Sequence, residues 1–204
     1  MKSLNKYISQ VKTLHSLNEF IQEKLVICHQ QVDEKLVINK NYNDIYNYFP
    51  KDKNELKEII KEHYDKGIYD LNDIDVSEIT DFSSLFNMEK NNENKNFDIS
   101  KWDVSNGEDF SEMFRFCTKL NCNLSKWDVS SGISFNSMFF NCYIFNSDIS
   151  DWNVSRGENF SWMFYTCYKF NRNLSKWKIK DTAKTSSMFH NCNIDNKYKP
   201  KGVE

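Results

Sequence analysis

The sequence predicts an α/β fold: a solenoid of five rungs closed at its N-terminal end by helices. Three observations carry this expectation. Trp102, Trp127, Trp152 and Trp177 stand 25 residues apart, and so do Met113, Met138, Met163 and Met188, and Cys117, Cys142, Cys167 and Cys192. Each unit also holds a phrase such as LSKWDVSSG at 124–132, whose spacing L-x-x-W-x-V-x-x-G lies beside the leucine-rich-repeat template L-x-x-L-x-L-x-x-N. Upstream of the repeats, one stretch carries both a helix start and a helix stop signal.

In chain order, Leu4, Ile8, Val11, Leu14, Ile21 and Leu25 recur at helical spacing and predict a first helix over roughly 4–25. The phrase EKLVI occurs at 23–27 and again at 34–38. Its offset suits three helical turns and its β-branched content suits a short hairpin, so 26–49 stays open between the two. Asp52 as N-cap, Glu55 three residues on, Leu56, Ile59 and Ile60 on one face and Gly67 just past the end predict a helix from about Lys53 to Lys66. The domain organisation that follows is an N-terminal helical segment at 1–49, a capping helix within 50–70, repeats over 71–198 and a tail at 199–204.

The repeats divide as 71–98, 99–123, 124–148, 149–173 and 174–198. Unit one is degenerate, with Ile74 in the Trp column and Leu85-Phe86 in the Met-Phe column, and a three-residue insertion follows within NMEKNNENKN. Ile99, Trp102 and Val104, with Leu124, Trp127 and Val129, are expected to point inward at alternate positions of a short strand. Phe110, Phe135, Phe160 and the Met-Phe pairs are expected to fill the core from a helical or 3₁₀ return arm. Unit five is the most polar, with Thr185 where the column has Phe, as a terminal cap requires.

Composition sets the class. Of 204 residues, 39% are apolar and 15% aromatic, enough for a core, and five Gly with two Pro leave no flexible-linker stretch. A net charge of −2 gives no overall footprint for nucleic acid or an anionic membrane, and no run approaches 18 apolar residues. Charge names no partner; a protein partner is expected from the stiff preassembled surface of a repeat stack, with neither nucleic acid nor membrane insertion, and the oligomeric state is left open. The opening MKSLNKYISQ lacks the apolar region and cleavage site of a secretory leader, which predicts a cytoplasmic location.

No residue pattern calls for catalysis. His15, His29, His63 and His190 share no motif with a nucleophile or a metal ligand, and neither H-E-x-x-H nor a glycine-rich phosphate loop occurs. The chain is expected to be no enzyme, with no catalytic residues, metal or cofactor. The four-Cys column is the repeat period itself, unlike the close local spacing of a zinc site, and is expected to be a buried row of thiols. Stacked cysteines would also lie within disulfide reach if the protein were exported. Cys122 falls at a variable position and is expected to be exposed. The recurrent Asp-x-Ser of WDVS is expected to bond nearby backbone at the strand exit, and the Asn columns (Asn96, Asn121, Asn146, Asn171; Asp98, Asn123, Asp148, Asn173) to satisfy loop backbone from rung to rung.

The phrases DISKWDVSN, DISDWNVS and MF..C, with the lead-in FPKDKNELKEII before LNDIDVSEITDFSSLF, resemble the BspA-type leucine-rich-repeat surface proteins, including their mycoplasma branch. The likeness covers about residues 49–200. It implies a bacterial, non-enzymatic adhesion or protein-recognition scaffold at the cell surface or secreted, against the cytoplasmic location the opening residues suggest. Gly107, Gly132 and Gly157 stand where that family commonly has an apolar residue, which implies a tighter or less filled bend.

Two surfaces are candidates for partner binding. Trp162 stands where other units have Glu112, Ser137 and Ser187, so the repeat does not ask for Trp there. With Phe140 and Tyr165 in one variable column and Tyr143 and Tyr168 in another, it makes an aromatic cluster of the kind interfaces favour, or a second packing layer. The alternative is a concave strand face, acidic at one end and basic at the other, represented by Asp103, Asp128, Asn153, Arg156 and Lys178.

Overall fold

In the computed structural model, residues 46–87 and 96–203 are described. The expected helix over 4–25, the open segment up to residue 45, Cys28 and the insertion after Asn87 lie outside the described residues. The described chain falls within one compact unit, Ile45–Glu204.

Helix α1 spans Lys53–Asp65, one residue short of the expected end. Asp52 accepts from the N–H groups of Asn54 and Glu55 at 2.8 and 3.0 Å, and Glu55 accepts from the Lys51 N–H at 2.9 Å, so first-turn donors are satisfied from both directions. Gly67, at φ +72°, supplies the left-handed residue that stops the helix. Leu56 and Ile60 are buried in the same core as Phe82, and Lys53 Nζ reaches Asp81 at 2.6 Å and Ser83 at 2.7 Å. His63 Nδ1 donates to the Ile59 carbonyl at 2.8 Å, while Nε2 faces Asp73 at 3.3 Å.

The leucine-rich-repeat solenoid with a strand face and a helical cap is not what these residues form. Among the described residues there is a single α-helix, the parallel pairing consists of isolated one-residue bridges such as Asp109 to Ser134 and Ser134 to Asn159, and no sheet is built. The segments expected as strands are turns. Trp102 N–H closes onto the Ile99 carbonyl at 3.1 Å, and the same three-residue closure recurs at Trp127, Trp152 and Trp177. The physical cause is local: Asp98, Asn123, Asp148 and Asn173 each accept from the N–H two residues on, at 2.9–3.1 Å, which bends the chain before it can extend. A second bend follows, where Asp103, Asp128 and Asn153 accept from Ser105, Ser130 and Ser155, and Gly107 N–H closes onto Val104.

Within this path the 25-residue units lie one on the next. Along the arm that begins at the column Phe, backbone donors alternate. Met113, Arg115 and Cys117 bond three residues back in their own unit, whereas Phe110, Glu112, Phe114 and Phe116 donate to the Ser134, Asn136, Met138 and Phe140 carbonyls of the next unit at 2.8–3.0 Å. Units three and four repeat the scheme. The alternation needs left-handed backbone at two places per unit: Ser84, Glu112, Ser137, Trp162 and Ser187 in one column, and Phe116, Asn141, Thr166 and Asn191 in the other.

Side chains then stack in register. Phe82, Phe110, Phe135 and Phe160 form one ladder with centroids 5.3–5.5 Å apart, and Phe86, Phe114, Phe139, Phe164 and Phe189 a second at 5.5–5.8 Å. Each Trp indole N–H donates to the carbonyl of the first apolar residue in the preceding unit: Trp102 to Leu71, Trp127 to Ile99, Trp152 to Leu124 and Trp177 to Ile149, at 2.8–3.2 Å. Gly107, Gly132 and Gly157 explain themselves here, since an added Cβ would stand 2.2–2.4 Å from the Phe ring three residues on. The bend is filled, and by the aromatic ladder itself.

Candidate functional site

The sequence-predicted aromatic residues are placed by the arm of alternating turns. Phe140 and Tyr165 stack face to face with centroids 4.8 Å apart and planes 6° from parallel, and Tyr143 and Tyr168 pair at 5.3 Å. The first stack is longer than the sequence suggested. Tyr165 also stacks on His190 at 4.7 Å, Arg115 sits 5.1 Å from the Phe140 ring centroid and 5.0 Å from that of Phe116, and Phe116 meets Phe140 edge-on at 5.6 Å. Arg115, Phe140, Tyr165 and His190 are thus one column of a cation and three rings across four units. The signal was present in the sequence, because all four stand 25 residues apart. It was missed because Arg and His are not counted with Phe and Tyr when a column is judged by hydropathy.

Trp162 lies three residues before Tyr165, whose N–H closes onto the Trp162 carbonyl at 3.2 Å. Trp162 is 44% exposed, Tyr168 47% and Tyr143 38%, while Phe140 and Tyr165 are half-buried. No ring contact joins Trp162 to the other four. Its φ of +58° puts a bulky residue in the left-handed region, where Ser84, Ser137 and Ser187 serve in other units.

The alternative surface changes character. Asp103, Asp128 and Asn153 are exposed, but each spends a side-chain oxygen on its own bend, on Ser105, Ser130 and Ser155. Arg156 and Lys178 are also exposed. With no strand beneath them, these five residues belong to successive turns and not to a concave sheet.

The thiols are built into the core. Cys117, Cys142 and Cys167 are buried and donate to the Phe86, Phe114 and Phe139 carbonyls of the preceding unit at 3.0 Å. Burial pushes all three thiols well above the ordinary range. Cys192 is half-buried and burial raises it to about 11. Cys122, expected outside, is buried instead, 3.9 Å from an Asp98 carboxylate oxygen, and burial raises it to about 11. The error came from reading a variable column as a surface one: Phe97, Cys122, Ser147 and Arg172 differ in chemistry, yet none of them is fully exposed.

Among the described residues no group of three or more His, Cys, Asp or Glu gathers as for a metal ion, and no helix is long and apolar enough to cross a membrane. A cleft of about 460 Å³ between the bends of units three to five is lined by Glu158, Asn159, Lys180 and Lys184, with Lys180 Nζ 4.0 Å from Glu158. What the molecule offers on its outside is therefore a row of stacked rings, one exposed Trp and a mixed-charge cleft.

No curated protein and no solved structure matches the chain. Residues 87–200, more than half of the sequence, match the family described as Mycoplasma protein of unknown function, DUF285, and the chain belongs to that family.

Proposed function

We propose that the protein is a non-catalytic recognition scaffold that binds a protein partner through the face carrying Trp162, Phe140, Tyr143, Tyr165 and Tyr168. One observation carries this reading: Trp162 is exposed on left-handed backbone where its sister units have Ser or, in unit two, Glu112, so the repeat does not account for a Trp there. Exposed Trp and Tyr are the side chains that dominate binding energy at interfaces. The rings beside it are held by stacking on their neighbours, so little ordering entropy is lost when a partner docks. Adhesion at the bacterial surface is the setting that the resemblance to BspA-type proteins supports.

The test compares wild-type protein with Trp162→Ser, a substitution taken from units three and five, as baits against surface and lysate fractions of the source organism and its host. The reading expects a partner that the wild type captures and the variant loses, with the melting temperature of the variant no lower. Equal capture by both would remove Trp162 from the site. Protease shaving of intact cells, followed by detection of the protein, decides between a surface and a cytoplasmic location.

A further inference from the structure

The backbone ladder between units has a direction, and unit five leaves it open. In unit four the N–H groups of Phe160, Trp162, Phe164 and Thr166 donate to the Lys184, Ser186, Met188 and His190 carbonyls at 2.7–2.9 Å. The equivalent donors of unit five are Thr185, Ser187, Phe189 and Asn191, and none of them has an acceptor among the described residues. The Ala183 carbonyl, equivalent to the Glu158 carbonyl that accepts from Lys184, has no donor among them either. Ser187 and Asn191 keep the left-handed φ of their columns, +52° and +55°, so the edge has the shape that the preceding units pair with. It is an unpaired template of the kind that accepts an added chain.

The surroundings of this edge state the charge of its occupant. Residues 174–203 hold seven lysines against two aspartates, in a chain whose net charge is −2. Lys184 is exposed at the start of the edge, and Lys199 Nζ lies 5.8 Å over the Phe189 ring, the last rung of its ladder. Hydrogen-bond donors rimmed by ammonium groups call for carbonyls on a chain that also carries carboxylates. The molecule already contains such a pairing. The acidic stretch EDFSEMFRF at 108–116 gives the Asp109, Ser111 and Met113 carbonyls to the N–H groups of Phe82, Ser84 and Phe86 of unit one at 2.8–2.9 Å.

We propose that residues Ala183–Asn191 are a docking edge for an acidic segment of a partner protein, which pairs parallel to it with alternate carbonyls on the four N–H groups and its carboxylates toward Lys184 and Lys199. A second copy of this chain is a poorer fit. Its own matching carbonyls, on Asp81, Ser83 and Leu85, lie at the end where α1 is held by Lys53, and a copy of the open end offers the same four donors and lysines with a single carbonyl, that of Ala183. The edge adjoins the Trp162 face, since the Trp162 N–H donates to the Ser186 carbonyl and Tyr165 stacks on His190, but its four donors are backbone groups that the Trp162 reading does not use.

The experiment uses the full chain and a synthetic peptide of sequence EDFSEMFRF, with amide hydrogen exchange as the readout. The Thr185, Ser187, Phe189 and Asn191 amides should slow by about ten-fold or more on peptide addition. Peptide affinity should fall about ten-fold or more in the Lys184→Glu, Lys199→Glu double variant and stay nearly unchanged in a Lys51→Glu, Lys61→Glu double variant, which makes the same charge change at exposed residues outside unit five. Unchanged exchange at the four amides, or protection that appears without peptide as protein concentration and mass rise, overturns the proposal; the second result would make the edge a contact between copies.

Discussion

The Trp127 indole N–H donates to the Ile99 carbonyl, 28 residues earlier, at 3.2 Å, while its ring stacks on Trp152 at 6.4 Å. One side chain therefore ties three successive units together. Trp127→Ala should lower stability by about 3–5 kcal/mol, as loss of a buried Trp does. Trp127→Phe keeps most of the packing and removes one of the two donors to the Ile99 carbonyl, which keeps the Trp102 N–H, for a smaller loss of about 0.5–1.5 kcal/mol. Urea unfolding of the two variants checks both the size and the order.

Gly132→Ala tests the filled bend. The new Cβ would stand 2.3 Å from the far ring carbon of Phe135, and that ring is fixed between Phe110 at 5.5 Å and Phe160 at 5.3 Å, so it has no direction in which to yield. A loss of about 1–3 kcal/mol is expected, the cost of overpacking. Adding Phe135→Leu should make the alanine better tolerated than it is in the wild-type background, measured as a double-mutant cycle.

Much of the core was legible and its backbone was not, for reasons these two sites show. The period, and the burial of Trp102, Trp127, Phe110 and Phe135, followed from residue type recurring at a fixed offset. The strand was an error of register. Ile99 and Trp102 are three apart, and residues three apart face opposite sides of a strand but the same side of a turn. The signal for that turn is the Asp or Asn two residues before the first Ser of each unit, Asp98 before Ser100 and Asn123 before Ser125, a column expected to bond from rung to rung and found to bond locally. The first left-handed column left no trace, because Ser84, Glu112, Ser137, Trp162 and Ser187 are neither Gly nor Asn, and in the second the hint was Asn141 and Asn191 beside Phe116 and Thr166. Within the candidate site, the Phe140–Tyr165 stack was legible as a column, whereas Arg115 and His190 extend it by chemistry that a hydrophobic pattern does not record.

Trp162→Asn should stabilise the protein by about 1 kcal/mol, since Asn tolerates left-handed backbone and Trp does not. Trp162 is 44% exposed, so only part of its apolar surface is given up in exchange. A stability gain together with loss of partner capture would mark Trp162 as held for binding at a cost in folding. A clear loss of stability would instead place the indole among packing residues.

Thiol titration should divide the cysteines by burial. Cys117, Cys142 and Cys167 are buried, bonded to carbonyls and held by burial well above the ordinary thiol pKa, so they should stay unreactive toward a disulfide reagent at pH 8 until the protein unfolds. Cys192, half-buried and bonded at a longer 3.7 Å, should react first among the described thiols. Fast labelling of Cys142, read by peptide mass, would contradict the closed column.

Acid should weaken the bends before it weakens the core. Hydrogen bonds from the Ser150 hydroxyl and N–H hold the Asp148 carboxyl below its ordinary 3.8, and at Asp98 the bonds from Ser100 do the same against the opposing effect of partial burial. A carboxyl whose folded value is depressed contributes stability that is complete above the unfolded value and is lost as pH falls through the folded one. The window therefore begins near pH 4 and extends downward. Units three and five show how to remove this dependence, because Asn123 and Asn173 make the same bond to Ser125 and Ser175 at 3.1 Å without a titrating group. Asp148→Asn should leave the midpoint of urea unfolding at pH 7 nearly unchanged and shrink its fall between pH 5 and pH 2. If the variant loses as much stability in acid as the wild type, the bends are not where acid acts, and the Asp81–Lys53 pair that holds α1 becomes the next group to replace.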